Sequence, residues 1–311
     1  MAEVDIEAFG GWLRSLAGFE SCLVTHVEPV TGGASNHTYR VALAHAPFRG
    51  VALRIQRERG IFEPYDVARE AEVVRLLGST GIPVPEVIGV EQEAALLGAP
   101  FAVYEWVEAP HFGEAVGASF QAFVEAVVAI HNLDWQSGGF GVLGMPPSPQ
   151  AALDAELDLI ERRMASFGCA DHAGLMSALH TLRAHIPTDG RLVLCQGDIN
   201  VFNYLYRDGR VVAVVDWEQA RISDPRVDVG QLLALQNLRG VPFLPADAMP
   251  FVAQYSEARG TAITGMAYFR ARWLFELGVI HFGWKLFNDT EPWYRLDSLL
   301  ALLDRALQEI G

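Results

Sequence analysis

Residues 192–228 read LVLCQGDINVFNYLYRDGRVVAVVDWEQARISDPRVD, and this stretch decides the fold. Three short apolar runs within it predict short buried strands, at 192–194, 204–206 and 211–215. Residues 207–210 separate the last two runs, and the Asp-Gly pair at their centre is typical of a tight hairpin turn. The sequence therefore predicts a strand, a polar loop and a β-hairpin in succession.

Three polar side chains stand near the ends of these strands. Asp198 and Asn203 follow the first strand and have the D-x-x-x-x-N spacing of a kinase catalytic loop. Asp216 ends the third strand, thirteen residues after Asn203 (216 − 203). Mg²⁺ prefers oxygen ligands of this kind beside substrate phosphates, and phosphoryl transfer depends mainly on positioning and charge neutralisation. We therefore predict that Asp198 accepts the proton of a hydroxyl group or orients it, and that Asn203 and Asp216 hold Mg²⁺.

The structural alternative is that Asp198 and Asn203 form a turn and that Asp216 merely ends a strand. The D-x-x-x-x-N spacing alone occurs by chance. The same spacing followed by a strand, an Asp-Gly turn, a second strand and an Asp is much harder to obtain by accident. The complete pattern therefore favours a functional site over a simple turn.

The segments GDINVFNYLY and VVAVVDWEQARISDPRVDVG resemble the aminoglycoside phosphotransferase/choline kinase family, which has the protein-kinase-like fold. The family's loop usually reads His-Gly-Asp, whereas this chain has Gln196, which can donate and accept hydrogen bonds in the same place. Asp224-Pro225 and Asp228 resemble the family's Asp-Pro-x-x-Asp element, which implies that Asp228 braces the loop. The resemblance covers roughly residues 25–235 and implies ATP-dependent transfer of a phosphoryl group.

The segment Val51-Ala52-Leu53-Arg54 matches the kinase V-A-I-K strand, with Arg in place of Lys. Strand alternation puts Ala52 and Arg54 on one face. On that face the small Ala leaves room for an adenine ring, and the cation can contact the phosphates. The chain's only lysine is Lys285, so a strand cation must be Arg54. Arg binds phosphate through a planar fork and is not equivalent to Lys. The alternative is a solvated strand arginine.

A helix is predicted over 66–77, with Asp66 as its N-cap. Glu70 lies within the apolar stripe of this helix, and a carboxylate on a packed face needs a partner. Arg54 is the natural partner, because kinases pair a strand cation with a helix Glu. A local pair with Arg69 stays open as the alternative.

A glycine-containing turn between two predicted strands is a candidate for covering the phosphates. Its backbone can approach a ligand closely, although a Gly-Gly pair is more often an ordinary hairpin turn. The candidate residues are Gly32, Gly33, Ser35 and Asn36.

The strand FAVYEWVEA runs into a change of composition, and we interpret its end as a hinge whose backbone binds adenine. The hinge comprises Tyr104, Glu105, Trp106 and Val107. The predicted fold is α+β, bilobal and protein-kinase-like. A small antiparallel-sheet lobe (1–107) would bind the nucleotide, and a larger, mainly helical lobe (108–311) would carry the catalytic and substrate-binding residues.

Helical spacing dominates the second lobe. Helices are predicted over 151–166, 171–185, 247–257, 263–287 and 292–309. Aromatic residues such as Trp273 and Trp293 could line a pocket for a cationic or sugar-like substrate, although at helical spacing aromatic residues more often belong to a core. His131 lies on an apolar stripe, and we interpret it as a core residue.

Composition excludes some function classes. The 311 residues carry a formal net charge of −15 and no basic run, which argues against nucleic-acid binding because phosphate contacts need clustered Lys and Arg. An acidic surface would suit a cationic substrate, although it more often confers solubility. No run approaches the roughly eighteen apolar residues of a spanning helix, and no signal peptide is recognised. The three sparse cysteines favour reduced thiols in the cytoplasm.

We therefore expect an ATP- and Mg²⁺-dependent small-molecule O-phosphotransferase that acts on a hydroxyl group, as a monomer or homodimer. A catalytically inactive, kinase-like nucleotide-binding module is the alternative, because Gln196 and Arg54 depart from the usual residues. A protein kinase is disfavoured, because no A-P-E element follows Asp216. The substrate stays open among aminoglycosides, macrolides, amino alcohols, sugars and other alcohols.

Overall fold

The computed structural model describes residues 4–30, 35–111, 114, 120–238, 251–288 and 290–310. The chain forms two compact units, residues 1–108 and 109–311. The first contains an antiparallel sheet, and the second is mainly helical. The prediction of an α+β chain, with a small antiparallel sheet before a larger helical part, is confirmed.

The first unit contains, in chain order, α1 (Ile6–Arg14), β1 (Leu23–Pro29), β2 (His37–Ala44), β3 (Gly50–Ile55), α2 (Val67–Leu77), β4 (Val87–Glu91) and β5 (Phe101–Glu105). Neighbouring strands pair antiparallel in the order β1-β2-β3-β5-β4. Period-two burial is clearest in β3, where the side chains of Val51, Leu53 and Ile55 are buried in the core. Ala52 and Arg54 lie on the opposite face and are half-buried, as the strand alternation predicts.

The second unit contains, in chain order, α3 (Phe120–His131), α4 (Pro149–Ser166), α5 (Ala173–Ala184), β6 (Val193–Cys195), β7 (Tyr204–Arg207), β8 (Arg210–Val214), β9 (Arg221–Ser223), α6 (Arg226–Asn237), α7 (Phe251–Arg259), α8 (Met266–Phe287) and α9 (Leu296–Gln308). β7 and β8 form the predicted hairpin, and β6 pairs with β9. The predicted helices correspond to α4, α5, α7, α8 and α9. The part of the predicted 247–257 helix before Phe251 lies outside the described residues.

The sequence did not predict β9 or α6. β9 has three residues, which is too short for a visible alternation. α6 is buried around most of its circumference, so it lacks the one-sided stripe by which a surface helix is recognised. Gly230 shows how close its contact is, because a Cβ atom there would lie 2.7 Å from backbone atoms of Phe269 in α8.

Five charged side chains form a cluster inside the second unit, called the buried ion cluster below. Its members are Glu156, Arg163, Arg221, Arg272 and Glu276. The carboxylate of Glu276 contacts Arg163 Nη1 over 3.0 Å and Arg272 Nη1 over 2.9 Å. The carboxylate of Glu156 contacts Arg272 Nη2 over 2.6 Å and Arg221 Nη1 over 3.2 Å. Each carboxylate of the cluster therefore has two guanidinium partners.

The aromatic residues of the tail divide between core and surface. Trp273 is buried, and its indole N–H donates to the carbonyl oxygen of Val227 over 2.6 Å. Trp293 is 47% exposed. The cysteines Cys22, Cys169 and Cys195 are buried free thiols. Among the described residues, no helix has both the length and the apolar character needed to cross a bilayer.

Candidate active site

The loop between β6 and β7 begins with a turn that only glycine fits well. Gly197 has a φ angle of 85°, in the left-handed region that glycine adopts without a steric penalty. A Cβ atom at this position would lie 2.1 Å from the carbonyl oxygen of Gln219. The Gly that precedes Asp198 in the motif therefore has a backbone reason to be there.

The carboxylate of Asp198 accepts hydrogen bonds from three side-chain amides. Asn200 Nδ2 and Asn203 Nδ2 donate to Oδ2 over 2.8 and 2.9 Å, and Gln231 Nε2 donates to Oδ1 over 2.5 Å. Asn203 Nδ2 also donates to the carbonyl oxygen of Asp198 over 2.9 Å. The structure thus brings together the first two residues of the predicted set.

Burial raises the pKa of Asp198, and the negative charge of Asp216 raises it further. The hydrogen bonds from Asn200, Gln231 and Asn203 act in the opposite direction without cancelling the rise. A cation close to these two carboxylates would favour their ionised forms. The electrostatics of the loop therefore suit a bound positive charge.

Asn203 and Asp216 are linked through the backbone, because the Val215 N–H donates to the carbonyl oxygen of Asn203 over 2.9 Å. The φ angle of Asp216 is 62°, a conformation uncommon for residues other than glycine and frequent at functional sites. Asn203 uses its amide nitrogen towards Asp198, so its Oδ1 is the atom that can bind a cation. This oxygen and the Asp216 carboxylate have the donor chemistry that Mg²⁺ prefers.

Gln196 connects the loop to the backbone of Asp216. Its Nε2 donates to the carbonyl oxygens of Val215 and Asp216 over 2.9 and 3.3 Å. Its Oε1 accepts from the hydroxyl of Tyr204 over 3.5 Å. One Gln amide supplies two donors, so Gln196 bridges the loop and the end of the hairpin.

Asp228 on α6 braces the start of the loop. Its Oδ2 accepts from the Gln196 N–H over 2.9 Å, and its Oδ1 accepts from the Gly197 N–H over 3.1 Å. His131 lies behind it, with Nε2 at 3.1 Å from Asp228 Oδ2 and Nδ1 at 2.7 Å from the hydroxyl of Tyr255. His131 is therefore a buried structural residue, as interpreted from its position on an apolar stripe.

In the first unit, Arg54 and Glu70 form the ion pair that the sequence predicted. Arg54 Nε lies 3.3 Å from Glu70 Oε2, and the side chains are 11% and 3% exposed. Asp66 caps α2 by accepting from the Arg69 N–H over 2.9 Å. Arg54 therefore contacts Glu70 directly. Neither alternative, a solvated Arg54 or a local pair between Glu70 and Arg69, is needed to explain this contact.

The predicted phosphate-covering residues are only partly described. Gly32 and Gly33 lie outside the described residues. Ser35 and Asn36 are buried, and Asn36 Oδ1 accepts from the Arg57 N–H over 3.1 Å. Asn36 therefore has a structural role, and phosphate contact by this segment stays a prediction.

The predicted hinge uses two of its backbone N–H groups within the first unit. The N–H of Glu105 donates to the carbonyl oxygen of Glu86 over 2.8 Å, and the N–H of Trp106 donates to the carbonyl oxygen of Gly50 over 3.2 Å. Tyr104 is buried, while Val107 is half-buried. An adenine ring bound here would have to use other backbone groups.

Sequence reasoning missed two amide side chains of the site, Asn200 and Gln231. The signal for Gln231 is its position three residues after Asp228, because side chains at i and i+3 share one face of a helix. That signal required α6 to be recognised as a helix. Asn200 lies two residues after Asp198, and its Oδ1 accepts from the Phe202 N–H over 3.0 Å, which is the side-chain turn typical of Asn.

Comparison with known proteins connects this geometry to a family. The family model described as "Phosphotransferase enzyme family" matches residues 26–274. The mouse acyl-CoA dehydrogenase family member 10 is 24% identical over 246 residues, which is 72% of this chain and 21% of that protein. The chain thus spans about a fifth of the length of that relative.

Two solved structures show the fold. A Ralstonia eutropha protein assigned as an aminoglycoside phosphotransferase has a TM-score of 0.73 and 20% identity, with 99% of this chain and 98% of that chain covered. A spectinomycin phosphotransferase, solved with ADP and spectinomycin, has a TM-score of 0.59 and 15% identity, with 98% and 97% covered. The predicted protein-kinase-like fold is confirmed.

Proposed function

Because the chain belongs to the phosphotransferase enzyme family, we propose that it transfers the γ-phosphoryl group of ATP to a hydroxyl group of a small molecule. The observation that carries the proposal is the contact between Asp198 and Asn203 at 2.9 Å. This contact places a carboxylate that can accept a hydrogen bond from the acceptor hydroxyl next to an amide whose oxygen can bind a cation. In phosphoryl transfer such positioning accounts for most of the catalysis.

Each residue of the loop has a separate task in this proposal. Asp198 accepts a hydrogen bond from the acceptor hydroxyl and orients its oxygen for attack. Asn203 Oδ1 and the carboxylate of Asp216 would hold Mg²⁺, because both are hard oxygen donors. Burial and the negative charge of Asp216 raise the pKa of Asp198. The ion would neutralise charge on the phosphates during transfer.

Residues of the first unit are proposed to bind the nucleotide. Arg54 holds the α- and β-phosphates through its guanidinium group, and Glu70 fixes the direction of that group. Ala52 offers a small surface for the adenine ring. The segments Ser35–Asn36 and Tyr104–Val107, together with Gly32 and Gly33, complete the proposed nucleotide contacts.

The acceptor class is a hydroxylated small molecule, with cationic compounds favoured. The net charge of −15 would attract a cation over long range. The spectinomycin phosphotransferase shares the fold at 15% identity, so its substrate is one compound to include in a screen. Spectinomycin itself and simple amino alcohols are therefore sensible first compounds.

The second candidate is an inactive nucleotide-binding module, motivated by Gln196 at the position of the family's His. The structural role of Gln196 argues against it, because its hydrogen bonds to the carbonyl oxygens of Val215 and Asp216 tie the loop to the end of the hairpin. An inactive module would bind Mg²⁺·ATP without consuming it. Active transfer would make ADP and a phosphorylated acceptor in equal amounts.

The test is a screen of hydroxylated metabolites and antibiotics for acceptor-dependent ADP formation with Mg²⁺·ATP. Mass spectrometry of the acceptor confirms transfer of one phosphoryl group. Omission of Mg²⁺ and replacement of Asp198 by Asn are the controls, and both should abolish the signal. Tight ATP binding without ADP formation for any acceptor would favour the inactive module.

A further inference from the structure

Gln231 makes two hydrogen bonds to the loop, one through the nitrogen and one through the oxygen of its side-chain amide. Its Nε2 donates to Asp198 Oδ1 over 2.5 Å, and its Oε1 accepts from the Ile199 N–H over 2.8 Å. The side chain projects from α6 and is 5% exposed. One amide therefore fixes both the carboxylate of Asp198 and the peptide that follows it.

We propose that Gln231 is a positioning residue that fixes which oxygen of Asp198 meets the acceptor hydroxyl, and this inference rests on the proposed function. An ionised carboxylate offers about four lone-pair sites. Asn200 and Asn203 both donate to Oδ2, which fills the sites of that oxygen. Gln231 takes one site of Oδ1, so the remaining site of Oδ1 is the one that a hydroxyl group can use.

The helix that carries Gln231 is itself firmly placed. Asp228, one turn earlier on α6, holds the N–H groups of Gln196 and Gly197. Gly230 lets α6 contact the backbone of Phe269 closely. Two side chains of one buried helix thus hold the loop from residue 196 to residue 199. A carboxylate held in this way loses little orientational freedom when the acceptor binds, which is how positioning lowers a barrier.

Two substitutions test the hydrogen bonds of Gln231. Gln231→Met keeps the length of the side chain and removes both bonds. Gln231→Asn keeps an amide group on a side chain one methylene shorter, which cannot reach both Asp198 Oδ1 and the Ile199 N–H as Gln231 does. Gln236→Met is the matched control, because Gln236 is an exposed residue on the same helix.

The experiment measures kcat, the KM for ATP and the KM for the acceptor in the full chain, together with hydrogen exchange of the Ile199 amide. Both Gln231 variants should lose about 10–10²-fold in kcat, because misplacement of a catalytic group by an ångström costs about that much. The KM for ATP should stay within about twofold, as expected for an effect confined to positioning of the acceptor. Exchange protection of Ile199 should fall in both Gln231 variants and stay unchanged in Gln236→Met.

A kcat of Gln231→Met close to that of the Gln236→Met control would overturn the inference, because the donor to Asp198 would then be dispensable. Unchanged Ile199 protection in Gln231→Met would overturn it equally, because the hold on the loop would be absent. A wild-type protein that forms no ADP with any acceptor would instead overturn the proposed function. The exchange measurement needs no turnover, so the two failures are distinguishable.

Discussion

Two groups of carboxylates in the second unit have opposite surroundings. Glu276, in the buried ion cluster, contacts the guanidinium groups of Arg163 and Arg272. Asp198, in the candidate active site, is held by side-chain amides from Asn200, Asn203 and Gln231. Amides fix the direction of a carboxylate without supplying an opposite charge. One group is therefore paired with opposite charges inside the protein, and the other is held by neutral amide groups.

The pKa values of the two groups respond accordingly. Burial raises the pKa of Asp198, and Asp216 raises it further. Burial also acts to raise the pKa of Glu276, but the positive charges of Arg272 and Arg163 outweigh that effect and the pKa is lowered. The same desolvation thus has opposite outcomes, because the neighbours differ. A site that is proposed to bind a metal ion and phosphates is expected to tolerate this imbalance, whereas a structural cluster is not.

The largest effect is expected for Asp198→Asn, which removes the acceptor for the substrate hydroxyl. Turnover should fall by about 10²–10⁴-fold. The free energy of unfolding should fall by no more than about 1–3 kcal/mol, because Asn has one acceptor oxygen for the three amide donors that Asp198 satisfies, while the removal of a charge close to Asp216 acts in the opposite direction. The matched control is Asp208→Asn, at an exposed position with a φ angle of 51° that Asn tolerates. Turnover of Asp198→Asn within a few-fold of the control would remove Asp198 from the mechanism.

Glu276→Gln should give the reverse pattern. The change leaves buried positive charge without its counterion, and breaking a buried pair costs about 3–5 kcal/mol of stability. We expect the lower end of that range, because Gln keeps one acceptor oxygen. The control is Glu309→Gln, which loses a pair with Arg270 at the surface and should cost at most about 1 kcal/mol. Chemical denaturation gives the two values, and kcat at a permissive temperature should stay close to that of the wild type.

The Arg54–Glu70 pair shares a feature with each group. Like the buried ion cluster it is an ion pair, and like the candidate active site it is proposed to bind a ligand, the phosphates of ATP. Arg54→Ala should reduce kcat/KM for ATP by the equivalent of about 1.5–3 kcal/mol for a charge-assisted contact. Arg54→Lys should recover part of the loss, since the charge returns without the fork geometry. Glu70→Ala should have a similar but smaller effect.

The double variant tests whether the two residues act as a unit. If Glu70 serves by directing Arg54, the combined loss in kcat/KM should be smaller than the sum of the single losses. Strictly additive losses, or a silent Arg54→Ala, would mean that the nucleotide is held in another way.

The sequence predicted the parts of the site that depend on local spacing. Asp198 and Asn203 are five residues apart on one loop, so their contact follows from a short motif. Strand alternation and a helical stripe placed Arg54 and Glu70 on their faces, and the kinase pattern of a strand cation with a helix Glu joined them. These patterns need no knowledge of distant packing.

Contacts that depend on long-range packing were not predicted. Gln231 meets Asp198 only because α6 packs beneath the loop, and the uniformly buried α6 gives no one-sided stripe. The buried ion cluster joins Glu156 to Arg272, which are far apart in the chain. Separate segments carry these charges, and each segment alone is consistent with a solvated surface.

The smallest expected effect is a change in the acid dependence of stability at Glu276. The pKa of Glu276 in the folded protein is lowered from a reference value of 4.5. The unfolded chain therefore binds this proton more tightly, and stability rises with pH across the interval between the two pKa values. The contribution of Glu276 is fully present above pH 4.5 and is lost as pH falls through the folded pKa.

The measurement is the difference in unfolding free energy between the wild type and Glu276→Gln, taken from neutral pH downwards. Other carboxyl groups titrate in the same interval, but they are common to both proteins and cancel in the difference. We expect a constant difference above about pH 5.5, where both states are ionised, and a shrinking one below pH 4.5. A difference that grew on acidification would mean that desolvation, and not the two guanidinium groups, controls Glu276. The contrast between the buried ion cluster and the candidate active site would then disappear.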